Sequence, residues 1–134
     1  MLVSDVMLPL DKFPVLSQYT IVKVCLDEMG FWRLGVSCIV DETGHLLGLF
    51  TDGDLRRKLL KIQKPIASLF VDDVLDHSIR DPHKVESSDS LASAVELMEI
   101  HQVWDLPVVD DSNKLVGLLH LHPAVKALLH PHSN

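Results

Sequence analysis

The densest chemistry in the sequence lies in Thr51-Asp52-Gly53-Asp54 and the two arginines that follow, Arg56 and Arg57. A carboxylate held still, such as that of Asp54, can accept hydrogen bonds from both hydroxyls of a vicinal diol like that of ribose. The Thr51 hydroxyl can donate to a phosphate oxygen, and a helix that starts here adds unpaired N–H groups and positive potential. Gly53 lets a ligand approach the backbone closely. Arg56 or Arg57 can neutralise a phosphate. The same residues have a plainer use. Asp is a common helix cap, and the spacing by itself favours a cap over a ligand-binding group at Asp54.

Such a loop works only if a strand end and a helix start hold it, and the sequence supplies both twice. Sliding the chain by 69 residues brings Met29 onto Met98, Val40 onto Val109, Asp41 onto Asp110, Gly48 onto Gly117, and Leu59-Leu60 onto Leu128-Leu129. Upstream the offset is 68, with Val3–Met7 against Val71–Leu75 and Pro14 against Pro82, and one residue inserted between Pro82 and Val85. Thr20 in one half and Ser90 in the other stand as helix N-caps. After them run apolar stripes at helical spacing: Ile21, Val24, Cys25 and Met29, then Leu91, Ala94, Val95, Leu97 and Met98. Short apolar strands follow at 37–40 and 106–109. Each ends in a turn where Gly44 or Asn113 accepts positive φ. The next strands are Leu46–Thr51 and Leu115–His120, and closing helices begin near Asp54 and Pro123. Each β-α-β-β-α unit is too small to bury both faces of its own sheet. The expected division is a first repeat over 1–62, a linker over 63–70 with Pro65 as breaker, and a second repeat over 71–134 with a frayed tail from 130.

The second repeat is an internal control on the first. Where the first has Thr51 and Asp54, it has His120 and Pro123. Proline can open a helix but offers no side-chain acceptor. If the junction binds a ligand, the first repeat is expected to hold the competent site and the second to be degenerate or altered. His120 and His122, two apart at a strand end, are expected on one face. A third ligand at matching spacing is absent, so they are read as polar lining and not as a metal site. Trp32 and Trp104 are expected to be buried at a sheet edge or an interface. Asp72-Asp73 and Asp110-Asp111 are expected in solvated turns and caps, and Pro107 at the start of a strand. No grouping of nucleophile and base has motif support, so catalysis is not expected.

A duplicated unit of this kind, ending in Gly48-Leu49-Phe50-Thr51-Asp52-Gly53-Asp54, resembles the CBS domain. Val3–Met7, Leu49–Arg57 and Leu118–His122 are most similar to the C-terminal CBS pair of D-arabinose-5-phosphate isomerases (the KpsF/GutQ family). The resemblance implies an α/β (α+β) fold of tandem repeats packed sheet to sheet with pseudo-twofold symmetry. It implies a nucleotide-like ligand, either AMP or ATP or the nucleotide-sugar CMP-Kdo, and it turns the reading of Asp54 from cap to ligand. The ligand-binding set it implies is Thr51, Asp52, Gly53, Asp54, Arg56 and Arg57, with Thr20 and Ser37. No required cofactor follows, and no activity in the absence of a sugar-isomerase domain. That domain, in cis or in trans, would be what the pair regulates, in the synthesis of the lipopolysaccharide sugar Kdo. A homodimer is implied too, and with it the competing reading of a ligand-free oligomerisation scaffold. Its contacts would come from Leu55, Leu59 and Leu60 and from Val125, Leu128 and Leu129.

Composition bounds these readings. The chain has 134 residues, 47% hydrophobic and 23% charged, enough for a core. Its net charge of −7 disfavours nucleic acid. The one tight basic group, Arg56-Arg57-Lys58 with Lys61 and Lys64, suits a single phosphorylated ligand better than a duplex. Cys25 and Cys38 lack any CxxC or metal-site spacing and are expected as reduced, buried thiols. No apolar run approaches the ~18 residues of a membrane span. A cytoplasmic location is expected.

Overall fold

The computed structural model describes residues 1–61 and 65–131. Residues 62–64 and 132–134 lie outside that description, and with them the first part of the expected linker, Lys64, and the end of the expected frayed tail. The described chain divides into two compact units, one of residues 11–82 and one of residues 1–10 with 83–134. Each carries a three-stranded mixed sheet.

In the unit of residues 11–82, β1 (Val15–Ser17) pairs parallel with β2 (Val36–Val40), and β2 pairs antiparallel with β3 (Leu46–Thr51). Helix α1 (Val22–Trp32) connects β1 to β2, α2 (Asp52–Lys61) follows β3 at once, and α3 (Ile66–Phe70) is a single short turn. α1 buries Val22, Cys25 and Met29, an i, i+3, i+7 row that meets Ile39 and Phe50 of the sheet. The other unit repeats the plan with β4 (Val85–Glu86), α4 (Leu91–His101), β5 (Asp105–Val109), β6 (Leu115–His120) and α5 (Leu121–Leu129), in strand order β4-β5-β6. Leu91, Ala94 and Met98 form the matching row. Both long helices end on a residue in the left-handed region, Arg33 and Gln102, each at φ 54. The next amide closes each end: Leu34 N–H donates to Met29 and Val103 N–H to Met98. Among the described residues no helix is long and apolar enough to cross a membrane.

Segments preceding the repeats account for several departures from the sequence reading. In each unit a 3-10 turn, Val3–Asp5 or Val74–His77, packs a fully buried valine, Val3 or Val74, into the core. Leu8 bridges to Leu118 and Ile79 to Leu49. Leu8 is therefore the counterpart of Ile79, and Val3 that of Val74 and not of Val71, which is exposed. The same segments cap α1. Val22 N–H donates to the Asp72 carbonyl, so Thr20 is not the cap; the N-cap is Ile21, with no side-chain bond. Ser90 does cap α4, accepting from the Ser93 N–H at 3.0 Å. Glycine is required where the segments cross the sheet. A Cβ on Gly117 would stand 2.8 Å from the Leu8 carbonyl oxygen, and one on Gly48 3.2 Å from that of Ile79.

The hairpin turns follow the sequence reading. Gly44 takes φ 88 and Asn113 φ 63. Asp41 and Asp110 each accept from two backbone amides across their turns. Those amides hold the Asp41 carboxyl below its usual range, the His45 N–H contributing most. Pro107 stands third in β5 rather than first. It is tolerated because its counterpart Cys38 sends its N–H to Pro14, outside the β2–β3 hairpin, and β4 is short on that side. Trp104 is 69% exposed, against the expected burial, while Trp32 is half-buried with its ring edge-on to Phe31. Asp72 is more than a solvated turn, since its carboxylate pairs with His77 Nε2 at 2.9 Å.

Candidate functional site

The Thr51–Asp54 loop is the junction of β3 and α2, with no residue between strand and helix. Thr51 closes the strand and Asp52 opens the helix, which puts Asp54 in its first turn. The Asp54 side chain turns back, and its Oδ2 accepts from the Thr51 N–H at 2.9 Å and from the Thr51 hydroxyl at 3.0 Å. In return Thr51 Oγ1 accepts from the Asp54 N–H at 3.2 Å. This is a reciprocal capping box, with aspartate in the position more often held by glutamate. The plain use of Asp54, as a cap, is therefore a feature of the structure.

It is not the whole of the arrangement. Asp54 is one of two buried polar residues in the chain's described part, 7% exposed, and it carries a charge. Its second oxygen, Oδ1, accepts from Arg57 Nη2 at 2.8 Å. The guanidinium lies over Gly53, where a Cβ would come within 3.2 Å of Nη1. The glycine thus leaves room for an arginine, a use different from the expected close approach of a ligand. Arg56 points to solvent, and Asp52 is exposed with its backbone N–H on the Gly35 carbonyl at 3.0 Å. Thr51, Asp52, Gly53, Asp54, Arg56 and Arg57 lie in the β3–α2 junction and the first two turns of α2.

Two expected members stand differently. Ser37 is fully buried, its hydroxyl 3.0 Å from Cys25 Sγ and 3.4 Å from the Phe50 carbonyl, so its side chain belongs to the core. Thr20 is half-buried just ahead of α1, where its carbonyl receives the Val74 N–H. The Thr51 hydroxyl also departs from expectation. Its single hydrogen is spent on Asp54, leaving none for a phosphate. Cys25 and Cys38 are both buried, and burial pushes the Cys25 thiol up to about 11, against the Ser37 hydrogen bond.

At the matching junction of the other unit the chemistry is different. His120 ends β6, but His122 lies on α5 and is exposed, so the two do not share a strand face. Pro123 is the third residue of α5 and not the first, a position whose N–H has no intrahelical acceptor, and no side chain caps this helix. His120 Nδ1 instead meets Asp105 Oδ1 at 2.7 Å. The pair is cross-strand, Asp105 lying opposite His120 in the β5–β6 register. Burial raises the Asp105 carboxyl, and the His120 hydrogen bond opposes that rise. Sequence reasoning missed Asp105; the available signal was an acid at the opening of the strand that faces the histidine. Among the described residues no group of three or more His, Cys, Asp or Glu is placed to hold a metal.

Comparison with known proteins gives a consistent result. The CBS domain family model matches residues 3–61 and again 71–129. The arabinose 5-phosphate isomerase KdsD of Pseudomonas aeruginosa is 33% identical over 125 residues, 93% of this chain and 37% of the relative. An uncharacterised protein of Chlamydia trachomatis is 34% identical over 128 residues, 93% of this chain and 38% of the relative. The chain spans about a third of the length of the curated relatives it matches. Among solved structures, CBSX2 in complex with AMP is 28% identical, with a TM-score of 0.85 over 98% of each chain. Another structure of CBSX2, from Arabidopsis thaliana, is 27% identical with a TM-score of 0.82, covering 99% of this chain and 97% of that one.

Proposed function

The chain belongs to the CBS domain family as a tandem CBS pair, a regulatory and non-catalytic module, and we propose that its Thr51–Asp54 junction binds the ribose of an adenine nucleotide. The observation that carries this reading is the Asp54 carboxylate, almost wholly buried, fixed at a helix start and paired with Arg57. A cap needs an acceptor but no arginine, and a bound nucleotide uses both. The helix start and the freed guanidinium supply the positive potential for a phosphate, with Arg56 in reach of solvent. The likeness to CBSX2 in complex with AMP supports adenine as the base.

Likeness to KdsD supports a second part of the proposal: a sugar-phosphate isomerase domain, in cis or in trans, is what this pair modulates. Nucleotide binding would regulate it through any difference in affinity between two states of the assembly. The buried cysteines Cys25 and Cys38, read as reduced thiols, fit a cytoplasmic setting. Exposed leucines on the closing helices, Leu60 at 82% and Leu129 at 70%, support self-association as a homodimer, which light scattering reads directly.

A thermal-shift series with AMP, ATP, CMP-Kdo and CMP tests the binding reading. AMP at ~100 times its dissociation constant should add about 2.7 kcal/mol of stability. In Asp54→Ala, whose baseline melting temperature falls with the lost cap by about 1 kcal/mol, the AMP increment should vanish. A shift with CMP-Kdo alone would move the ligand to the nucleotide-sugar. No shift with any of the four would leave the junction a cap and the chain a scaffold.

A further inference from the structure

Asp54 has two carboxylate oxygens and so about four acceptor positions. Thr51 fills both positions of Oδ2, through its amide and its hydroxyl, at 2.9 and 3.0 Å. Arg57 fills one position of Oδ1 at 2.8 Å. One position remains, and a vicinal diol brings two donors. The Thr51 bonds belong to the capping box and hold the helix start together, whereas the Arg57 side chain is 56% exposed and comes from the same helix three residues on. Arg57 is thus the partner that can leave.

We propose that Arg57 is a latch on this site: in the free protein it occupies the carboxylate oxygen that the ribose diol needs, and only a ligand bearing a phosphate returns a partner to it. The inference rests on the reading that Asp54 receives the ribose. It assigns Arg57 a role in specificity beyond neutralising charge. A nucleoside must displace the guanidinium and leaves it in water. A nucleotide displaces the same guanidinium and offers it a charge-assisted bond to phosphate. The latch therefore penalises both ligands equally and compensates one. Gly53 leaves room for the device, because a Cβ there would stand 3.2 Å from Arg57 Nη1 and press on the guanidinium.

Binding of AMP and of adenosine to the wild-type chain and to Arg57→Ala, measured by titration calorimetry, separates the possibilities. Loss of an exposed pair of this kind should tighten adenosine by about two- to fivefold. Loss of the phosphate partner should weaken AMP by about tenfold or more. The two variants of the ligand thus move in opposite directions. Arg57→Gln, which keeps the chain length and helix propensity but removes the charge, should follow Arg57→Ala, and an unchanged ligand-free melting profile confirms that each variant folds. Wild-type AMP binding combined with unchanged or weaker adenosine binding in both variants would overturn the latch and leave the site reading intact. Failure of the wild-type chain to bind either ligand would overturn the site reading, and the latch with it.

Discussion

Asp54 admits two uses: at this scale its spacing alone favours the cap, and the family resemblance turns the reading to a proposed ligand group. Its cap role is now visible in three hydrogen bonds with Thr51. Its proposed ligand role depends on which oxygen is free, which no spacing rule encodes. The neighbouring arginine was read for its charge, and its contact with the carboxylate was not legible because i, i+3 geometry permits that pair without requiring it. Asp105 was missed for a similar reason: cross-strand partners fifteen residues apart emerge only once the register is fixed. Its environment makes a pH prediction. Because burial raises its carboxyl in the folded state, the folded chain binds a proton more tightly there than the unfolded chain. That contribution to stability is complete below the ordinary carboxylate range and is lost as pH rises through the raised value. Asp105→Asn removes this dependence. Its melting temperature relative to wild type should therefore climb as pH rises from the ordinary carboxylate range through the raised value, as the wild type takes on the cost of ionising a buried carboxylate. A flat difference across that range would mean the carboxyl is not raised.

Elements were far more legible than contacts. β3 and β6 run from Leu46 to Thr51 and from Leu115 to His120, as read from apolar runs bounded by turn residues and helix starts. The turns needed positive φ at Gly44 and Asn113, and both have it. What failed was the register of the leading segments. Val3-Ser-Asp-Val matches Val71-Asp-Asp-Val letter for letter at three of four positions, yet the buried valine of that second stretch is Val74. Similar letters three residues apart gave two alignments, and packing against β3 and β6 selects the other one. Gly48 and Gly117 record that packing in their lack of a side chain. Gly117→Ala forces a Cβ within 2.8 Å of the Leu8 backbone oxygen and should cost about 1–3 kcal/mol, seen as a lower urea midpoint. Gly30→Ala, at a helical site where an added Cβ meets nothing within 4 Å, should instead be neutral or stabilising by up to about 1 kcal/mol. Equal losses at the two positions would contradict the crossing as the reason for glycine.

For the molecule as a whole, duplication is what makes the reading possible. One repeat retains Thr51 and Asp54, and the other holds an Asp105–His120 pair and a proline in the corresponding places. Comparing the two within one chain isolates the junction as the variable part, while the long helices, the strands and the glycine at the crossing, Gly48 or Gly117, repeat. The net charge is −7, and the one tight basic group in the sequence, Arg56-Arg57-Lys58, sits at that junction. The proposed regulation of an isomerase domain would require the binding event first, and in the proposed site binding hinges on the ribose diol. Titration calorimetry of AMP against 2′-deoxy-AMP tests this without altering the protein, so the capping box stays whole. The account predicts that AMP binds tighter by about tenfold or more, the value of a hydrogen bond to a buried carboxylate. Equal affinities for the two nucleotides would contradict it, since Asp54 would then be a cap and nothing else.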